Sequence, residues 1–566
     1  MIGDVNRGGN IVSKRKNDSI RIIPLGGVGE IGKNMYVVEV DEDLFVIDSG
    51  LKFPENDMLG IDVVIPDFTF LENNKERVRG IFLTHGHEDA IGALPYLLRN
   101  IKAPVYGTKL TLALAKARIK ELNQKVEGKF FTIHSNSRLS FNSVNVTFFK
   151  TTHSIPDSVG IAIHTSEGAI VHTGEFKFDQ SATGFYRPDI GKMAQLGEKG
   201  VLCLLSDSTE AERPGFTTSE SVISRQLSDA FHSAKERIIV SCFSANLIRI
   251  QQVFDAAKET NRKVAVVGKS LEKVYEVALK LGYLEVDETS IIPVSEAKEL
   301  HPSEVVILAT GNQGEPLEAL QKMASGTHKL ISIEEGDTVF IAVSPSPSIE
   351  LMLFKTVDAV ARAGANVLTS SKKVHVSGHG SQEDLKMMIN LIKPKYFVPI
   401  QGEFRMLKSH ATLASSLGIE HNHIFLLEKG DVLEYSDERM KVNGRVPTGN
   451  VLIDGLGVGD IGNIVLRDRR LLSQDGILIV VITLTKQNRM IVSGPEIISR
   501  GFVYVRESEK LMAESADLVR EIVNQNLQQQ SVEWATIKQD VRDKLNYFLY
   551  NKTKRRPMIL PIIMEV

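Results

Sequence analysis

Short apolar segments, separated by turns rich in Gly, Pro and Asp, fill the first third of the chain. The clearest of them cover residues 36–40, 44–47, 81–84 and 144–149. Their length and their β-branched and aromatic content are typical of β-strands. The pattern therefore predicts a sheet-rich domain from residue 21 to about residue 208.

The pattern changes at about residue 217. Apolar segments at 238–243, 263–268, 305–311 and 338–344 now alternate with segments of helical periodicity. Alternating strands and helices are typical of a parallel sheet flanked by helices. The first pattern resumes after residue 374 and continues to about residue 435, so we interpret the α/β block as an inserted domain.

The last part of the chain predicts a small α+β domain. A Gly-rich stretch at 455–462 indicates a linker, and strands at 476–485 and 490–493 precede two helices. The second helix has an apolar face that is expected to lie in a core, and it comprises Trp534, Ile537, Val541, Leu545 and Phe548. The expected domains are a first domain in two parts (20–216 and 371–448), the inserted domain (217–370), a linker (449–461) and a C-terminal domain (462–566).

Length and composition indicate a folded, multidomain protein. A chain of 566 residues is too long to fold around one hydrophobic core. Its content of 42% hydrophobic and 24% charged residues is ordinary for globular proteins. The longest apolar stretch, 477–485, is far shorter than the roughly 20 residues of a membrane helix, and residues 1–20 form no apolar signal segment. Cys203 and Cys242 lie in apolar strand-like segments, where buried reduced thiols are expected. We therefore expect a cytoplasmic protein that does not enter a membrane. With a net charge of -3, it must bind any nucleic acid through a local basic surface.

Gly27, Gly29 and Gly32 form a GxGxxG pattern after a predicted strand. In dinucleotide-binding proteins a helix begins at this pattern, and its N-terminus holds the pyrophosphate. Here residues 34–40 are β-branched and alternate in polarity, which predicts a second strand. We therefore interpret the glycines as a tight turn between two strands.

Metal-binding residue types recur where strands are predicted to end. They are His85, His87, Asp89, His153 and Glu175. Imidazole and carboxylate groups on such loops can turn toward one point, as a first-row transition metal requires. Polar loop residues that only cap turns are the alternative interpretation.

These motifs resemble those of a known family. The signature motifs of the metallo-β-lactamase fold match, in order, Asp48 in Val-Ile-Asp-Ser-Gly, residues 85–90, His153 and Glu175. The inserted α/β block looks like the β-CASP insertion of members that process nucleic acids, on the motifs at residues 206–209, 309–316 and 375–379. With residues 394–396 and 402–408 added, nearly the whole chain resembles ribonuclease J. The resemblance implies an α/β (α+β) protein, in which a metallo-β-lactamase αββα sandwich carries the inserted β-CASP domain and a small α+β C-terminal domain.

The resemblance also implies an activity. Ribonuclease J enzymes hydrolyse RNA phosphodiesters in the 5′ to 3′ direction from a monophosphorylated end, and sometimes internally, at a two-metal site between the two domains. The expected substrates are mRNA and rRNA precursors. Three residues match the ligands of the first metal, namely His85, His87 and His153.

The chain departs from the family at the second metal. The family has His at positions 90 and 401 and Asp at 175, whereas this chain has Ala90, Gln401 and Glu175. Asp89, Glu175 and a weak Gln401 amide oxygen remain, and oxygen ligands favour Mn²⁺ or Mg²⁺ over Zn²⁺. We therefore expect a divalent metal, Zn²⁺ or Mn²⁺, at the histidines, and Mn²⁺ or Mg²⁺ at a second site that can be empty.

These substitutions match the degenerate-site paralogue that accompanies an intact ribonuclease J in some bacteria. The resemblance thus implies a metal-dependent ribonuclease of low activity. The alternative is a catalytically dispensable RNA-binding subunit that supports an active paralogue. The expected partners are RNA, that paralogue in a hetero-oligomer or a second copy in a homodimer, and other RNA-degradation proteins.

The resemblance implies that one further motif contacts RNA phosphates, namely His375, Val376, Ser377, Gly378 and His379. His379 is expected to stabilise the transition state or protonate the leaving group, so Asp89 and His379 are the candidate catalytic residues. A buried turn that only packs is the alternative. Ser244 and Asn246 are weaker phosphate-binding candidates that helix capping explains equally well, and we interpret the basic residues at 552–556 as solvated surface.

Overall fold

The computed structural model describes residues 19–55, 57–124, 126, 128–142, 144–311, 316–342, 350–369, 377–455, 457–485, 490–504, 508–528 and 533–566. The strands are β1 (Ile20–Gly26), β2 (Met35–Val40), β3 (Asp43–Ile47), β4 (Val63–Pro66), β5 (Val78–Phe82), β6 (Val105–Gly107), β7 (Phe130–Thr132), β8 (Arg138–Ser140), β9 (Asn145–Lys150), β10 (Val159–Thr165), β11 (Gly168–His172), β12 (Val201–Asp207), β13 (Ile238–Ser241), β14 (Lys263–Val267), β15 (Val305–Ala309), β16 (Thr338–Ile341), β17 (Asn366–Thr369), β18 (Pro394–Ile400), β19 (Asp431–Ser436), β20 (Arg439–Arg445), β21 (Asn450–Asp454), β22 (Gly457–Val458), β23 (Ile477–Thr485), β24 (Met490–Arg500) and β25 (Met558–Glu565). The helices are α1 (Thr69–Asn73), α2 (Glu88–Ile91), α3 (Leu94–Leu97), α4 (Lys109–Glu121), α5 (Ile190–Lys199), α6 (Glu220–Ser233), α7 (Leu247–Glu259), α8 (Lys269–Leu281), α9 (Val294–Ala297), α10 (Pro316–Ala324), α11 (Glu350–Arg362), α12 (Gln382–Ile392), α13 (Phe404–Ser416), α14 (Asn463–Asp475), α15 (Glu509–Leu527) and α16 (Trp534–Thr553).

The described chain forms two compact units. The first comprises the described residues up to Lys52 together with Ile65–Asn450, and the second comprises Phe53–Val64 and Val451–Val566. Within the described residues, no helix is both long and apolar enough to cross a membrane.

Two sheets lie face to face in the first unit. One has eight strands in the order β20-β19-β1-β2-β3-β5-β6-β7, and the other has six in the order β18-β12-β11-β10-β9-β8. Apolar side chains from both sheets, among them Phe45 and Ile161, form a continuous core between them. A second core lies between the six-stranded sheet and α5, α12 and α13, while α4 packs against β6 and β7 of the other sheet. The arrangement is the αββα sandwich expected from the resemblance.

The inserted block forms its own parallel sheet, in the order β14-β15-β13-β16-β17. These strands are short and almost continuously apolar, as strands covered by helices on both faces must be. Their side chains enclose a separate core that includes Ile239, Ile307 and Val339. The α/β expectation for this part of the chain is confirmed.

A buried ionic cluster attaches the insertion to the sandwich. Nζ of Lys177 lies 2.7 Å from Oε1 of Glu220, the first residue of α6, and Nη2 of Arg249 in α7 lies 3.2 Å from the other oxygen. Burial alone would raise the pKa of Glu220, but Lys177 and Arg249 lower it. Backbone bonding between Lys177 and Thr152 places this cluster next to the loop that carries His153.

The second unit contains a three-stranded sheet, β24-β23-β25, covered by α15 and α16. The apolar face expected on the last helix lies in this core. The stretch 449–461, expected to be a linker, instead contains β21 and β22, which pair as an antiparallel hairpin. Leu452 and Ile453 are apolar enough to be buried, so the glycines here supply only the turn.

Residues 53–64 complete the second unit from a distant part of the sequence. The Arg469 guanidinium donates to the Leu59 carbonyl at 2.9 Å and to the Asp454 carboxylate at 2.6 Å. Ile61, Val64 and Leu452 form a small core beside these contacts. This segment and α14 therefore fold together.

Candidate metal centre

The predicted site residues follow strands whose carboxyl ends lie at the same edges of the two sheets. β11, β12 and β18 are parallel neighbours. Glu175 follows β11, Asp207 is the last residue of β12, and Gln401 follows β18. In the other sheet β3 and β5 are parallel and are followed by Asp48 and His85. Parallel register thus brings together residues that are far apart in sequence.

The structure brings His85, His87, His153 and Glu175 into one group, with one ligand atom of each within 4.8 Å of the others. Nδ1 of His87 lies 3.0 Å from Nε2 of His153. The three imidazole centroids are 4.8 to 5.0 Å apart. His85, His153 and Glu175 are buried, and His87 is partly exposed.

In each imidazole, the ring nitrogen that faces away from the group contacts a protein oxygen. This contact fixes the direction of the other ring nitrogen, which faces the centre of the group. Nδ1 of His153 donates to the Gly378 carbonyl at 2.8 Å, and Nε2 of His87 lies 3.4 Å from the Ala245 carbonyl. A side chain at position 378 would place Cβ 2.6 Å from the His153 ring, which explains the glycine. Such outer contacts orient metal-binding histidines and set their tautomers.

His85 is oriented by a relay through Thr84. The Thr84 hydroxyl and its backbone N–H both donate to the Asp48 carboxylate, at 2.8 Å each. The hydroxyl oxygen can therefore only accept from Nδ1 of His85, 2.9 Å away. Nε2 of His85 then faces the centre of the group. Burial would lower the pKa of His85, but the Glu175 and Asp89 carboxylates raise it.

The electrostatics suit a cation. Nε2 of His85 and Oδ1 of Asp89 are buried and 3.6 Å apart, and neither makes a well-formed hydrogen bond within the described part of the chain, although Nε2 also lies 3.3 Å from Oε2 of Glu175. Buried polar atoms are normally paired, so both atoms fit a bound metal. Burial lowers the pKa of His87 and of His153, which keeps these two imidazoles neutral, as ligation requires.

The second predicted ligand set lacks nitrogen donors. Ala90 is fully buried and presents only a methyl group. The Gln401 amide is buried, and neither its nitrogen nor its oxygen has a partner among the described residues. The Gln401 backbone N–H donates to the Gly27 carbonyl at 2.6 Å, so the glycine turn helps to position this residue. No helix follows that turn, because β2 begins at Met35.

His379 lies at the edge of the histidine group. Its Nε2 is 3.9 Å from Oε2 of Glu175, and its Nδ1 contacts the Asp207 carboxylate at 2.7 Å. Burial would lower the pKa of His379, but Asp207 and Glu175 raise it to about 10. The protonated imidazole therefore directs an Nε2–H toward the group. Ser377 accepts from the His379 backbone N–H, and His375 and Val376 lie outside the described residues.

Three residues of the site were not assigned a role from the sequence. Asp207 holds His379, Thr84 orients His85, and the Asn34 amide donates to Oε1 of Glu175 at 3.3 Å. Asp207 belongs to the 206–209 motif, and Thr84 directly precedes the histidine motif, so both had a local signal. Asn34 had none, because its contact depends on the packing of two sheets.

Family comparisons agree with this architecture. Residues 28–178 match the metallo-beta-lactamase superfamily, and 364–425 match the Zn-dependent metallo-hydrolase RNA specificity domain. Residues 235–360 match the ribonuclease J beta-CASP domain and 464–566 the ribonuclease J C-terminal domain. Fold and site thus define a metal-dependent hydrolase with a β-CASP insertion and an RNA specificity domain.

Curated relatives narrow this class. Ribonuclease J 2 of Staphylococcus epidermidis is 54% identical over 98% of this chain and 99% of its own length, and that of Staphylococcus aureus is 55% identical over the same shares. The chain belongs to the ribonuclease J family, whose role is in RNA processing. A crystal structure of a protein of unknown function from Enterococcus faecalis shares the fold, with a TM-score of 0.53 at 15% identity over 74% of this chain and all of that one.

Proposed function

We propose that this chain is an RNA processing and decay factor with weak 5′ to 3′ exoribonuclease activity and internal cleavage as a second activity. The proposed substrates are mRNA and rRNA precursors with a 5′ monophosphate. Family membership supports the nuclease class, and the altered second ligand set supports the low rate. The two buried free thiols, Cys203 and Cys242, fit a reducing cytoplasm.

One observation carries the proposal: the first ligand set is complete and the second is not. Three inward imidazole nitrogens, each oriented by an outer contact, fit Zn²⁺ or Mn²⁺. Asp89 and Gln401 offer only oxygen, which fits a weakly held Mn²⁺ or Mg²⁺. A bound divalent cation would supply Lewis-acid stabilisation of the charge that develops on the phosphate.

In this proposal His379 acts as the general acid. Asp207 fixes its Nδ1, so the Nε2 proton faces the metal group and can pass to the leaving 3′ oxygen. Asp207 is then a positioning residue. The Ser377 side chain holds the His379 backbone, and the Gly378 carbonyl holds the His153 ring. In this proposal these two residues form the RNA phosphate site together with His375 and Val376.

The second candidate is an RNA-binding subunit that supports an active paralogue. An exposed apolar row favours it, because Leu560, Ile562 and Met564 alternate along β25 and are 38 to 47% exposed. Alternate residues of a strand share one face. This open face is the proposed contact with the paralogue or with a second copy.

The test of catalysis is hydrolysis of 5′-monophosphorylated RNA with Mn²⁺, Mg²⁺ or Zn²⁺, next to metal analysis of the purified chain. We expect slow cleavage that depends on Mn²⁺ and vanishes in the His85→Ala, His87→Ala double variant. Cleavage that persists in this variant identifies a contaminating nuclease. The absence of cleavage with all three metals leaves only the second candidate.

The test of the subunit role is co-purification with the active paralogue. We expect Ile562→Lys to weaken it. The matched control is Tyr547→Lys on α16, a 72% exposed residue of the same unit. Equal co-purification of both variants and the unchanged chain would place the contact elsewhere, and no co-purification of the unchanged chain would refute the subunit role.

A further inference from the structure

The basic residues at the end of α16, expected to be solvated surface, fall into two kinds. Two of them are bound within the second unit. Nζ of Lys552 lies 2.8 Å from the Glu514 carboxylate, and Nη1 of Arg555 donates to the Phe502 carbonyl at 2.8 Å. These two side chains stabilise the unit, so they are not free to bind a ligand.

Lys554 and Arg556 instead lie over the ring of Tyr550. Nζ of Lys554 is 5.2 Å from the ring centroid, and Cζ of Arg556 is 4.4 Å from it. Neither cation forms an ion pair within the described part of the chain. The nearby Asp475 carboxylate accepts from the Arg556 backbone N–H at 3.0 Å. Both cations are exposed, so two positive charges are held together at the surface with no carboxylate paired to either.

The end of α16 fixes this arrangement. Lys554 ends the helix in the left-handed region, with a φ of 59°, and its N–H donates to the Tyr550 carbonyl at 2.8 Å. A left-handed residue turns the chain away from the helix axis, and Arg556 then lies beside Tyr550. The Met558 N–H donates to the Gly476 carbonyl at 2.9 Å. Because the turn is held at both ends, a ligand that binds here has little chain to order.

The chemistry of this surface fits single-stranded RNA. Two cations without ion-pair partners attract phosphates, and a chain with a net charge of -3 needs such a local surface to bind RNA. A guanidinium stacked on an aromatic ring also offers a flat face to an unpaired base. An acidic protein segment would use the charges but not this face.

We propose that Tyr550, Lys554 and Arg556 form an RNA-binding surface on the second unit, in addition to the residues of the metal centre. The two cations bind phosphates of a single strand, and the stacked pair of Tyr550 and Arg556 contacts a base. Contacts of this kind bind RNA without sequence preference. The inference rests on the proposed function for its ligand, because it adds a second contact with the same RNA.

The experiment measures binding of a labelled single-stranded RNA to the full chain at several salt concentrations, with EDTA present to prevent cleavage. Each lost phosphate contact should lower the slope of log K against log salt by about 0.7. In the double variant Lys554→Gln, Arg556→Gln we therefore expect a slope lower by about 1.4 and an affinity about tenfold weaker at 0.15 M salt. Tyr550→Leu keeps both charges, so the affinity should fall at least about fivefold with the slope unchanged.

Arg542→Ala is the matched control. This exposed arginine lies on the same helix, about 12 Å along its axis from Tyr550, which is more than the Debye length of about 8 Å at physiological salt. Arg542→Ala should bind RNA as the unchanged chain does. An equal loss in the control and in the double variant would show only a general attraction to α16 and would overturn the surface.

Other outcomes separate this inference from the proposed function. Unchanged affinity and slope in the double variant would overturn the RNA surface while the unchanged chain still binds RNA at the metal centre. Polyglutamate that binds as tightly as RNA, and that is weakened by the double variant but not by Tyr550→Leu, would identify an acidic protein segment as the ligand. An unchanged chain that binds no RNA would refute the proposed function itself. Should Tyr550→Leu not fold, the double variant decides by itself, because both of its residues are exposed.

Discussion

Rebuilding the second ligand set should raise RNA hydrolysis. The triple variant Ala90→His, Gln401→His, Glu175→Asp adds two imidazoles beside Asp89. It also withdraws the carboxylate at position 175 by about 1.5 Å from its present 3.1 Å contact with His153. The shorter carboxylate and the two added imidazoles would then complete the second ligand set that the family resemblance implies.

The expected gain is set by two opposing effects. In a two-metal site the loss of one ion removes several kcal/mol of transition-state stabilisation, and about 4 kcal/mol corresponds to roughly a thousandfold in rate. Against this, Ala90 is fully buried, and a larger side chain there costs about 1 to 3 kcal/mol of folding stability. The three positions act on the same ions, so single variants should recover far less than the triple variant.

The assay combines elemental analysis with cleavage of 5′-monophosphorylated RNA. We expect two metals per chain, a lower Tm and a clear rise in the rate of hydrolysis. The rise can stay limited where residues that orient the metal ligands also differ from the family. A triple variant that binds two metals and cleaves no faster than the starting protein would refute the reasoning. The restriction would then lie in RNA access.

Three further predictions test the scaffold. Glu220→Gln leaves Lys177 fully buried without a carboxylate partner among the described residues, and chemical denaturation should show a loss of about 3 kcal/mol; a loss below 1 kcal/mol would contradict the buried cluster. Burial lowers the pKa of Lys33 to about 8, so the unfolded chain binds more protons above that pH. The free energy of unfolding should rise by up to about 3 kcal/mol between pH 8 and about 10.5, and Lys33→Met should abolish this rise. Arg469→Ala removes the contact with Leu59, so limited proteolysis should cut within residues 53–64 faster than in an Arg467→Ala control.

The proximity of the three histidines and Glu175 could be predicted from sequence in part, because each residue lies where a strand ends. His85 and His87 follow β5 directly, and the strand before His153 is readable from its alternating apolar residues. The family resemblance supplied the pairing of these loops. The sequence could not show that the Glu175 carboxylate lies between two imidazoles, because side-chain reach and packing decide that position.

The roles missed in the sequence depend on contacts between distant segments. The Asp207 contact with His379 spans 172 residues, and the Asn34 contact with Glu175 spans 141. Neither leaves a local pattern. The linker prediction failed for a related reason. The glycines near residue 455 do mark a turn, but Leu452 is buried through packing against Ile61 and Val64, which are distant in sequence.

The second unit is built from two stretches of chain that are far apart in sequence, and this affects the order in which it can form during synthesis. Arg469 binds Leu59, a residue made 410 positions earlier. At a translation rate of about 5 to 20 residues per second, the 53–64 segment waits roughly 20 to 80 seconds for its partner. During that interval Ile61 and Val64 lack Leu452, the residue that completes their small core in the folded unit. The second unit can therefore be completed only after α14 has been made.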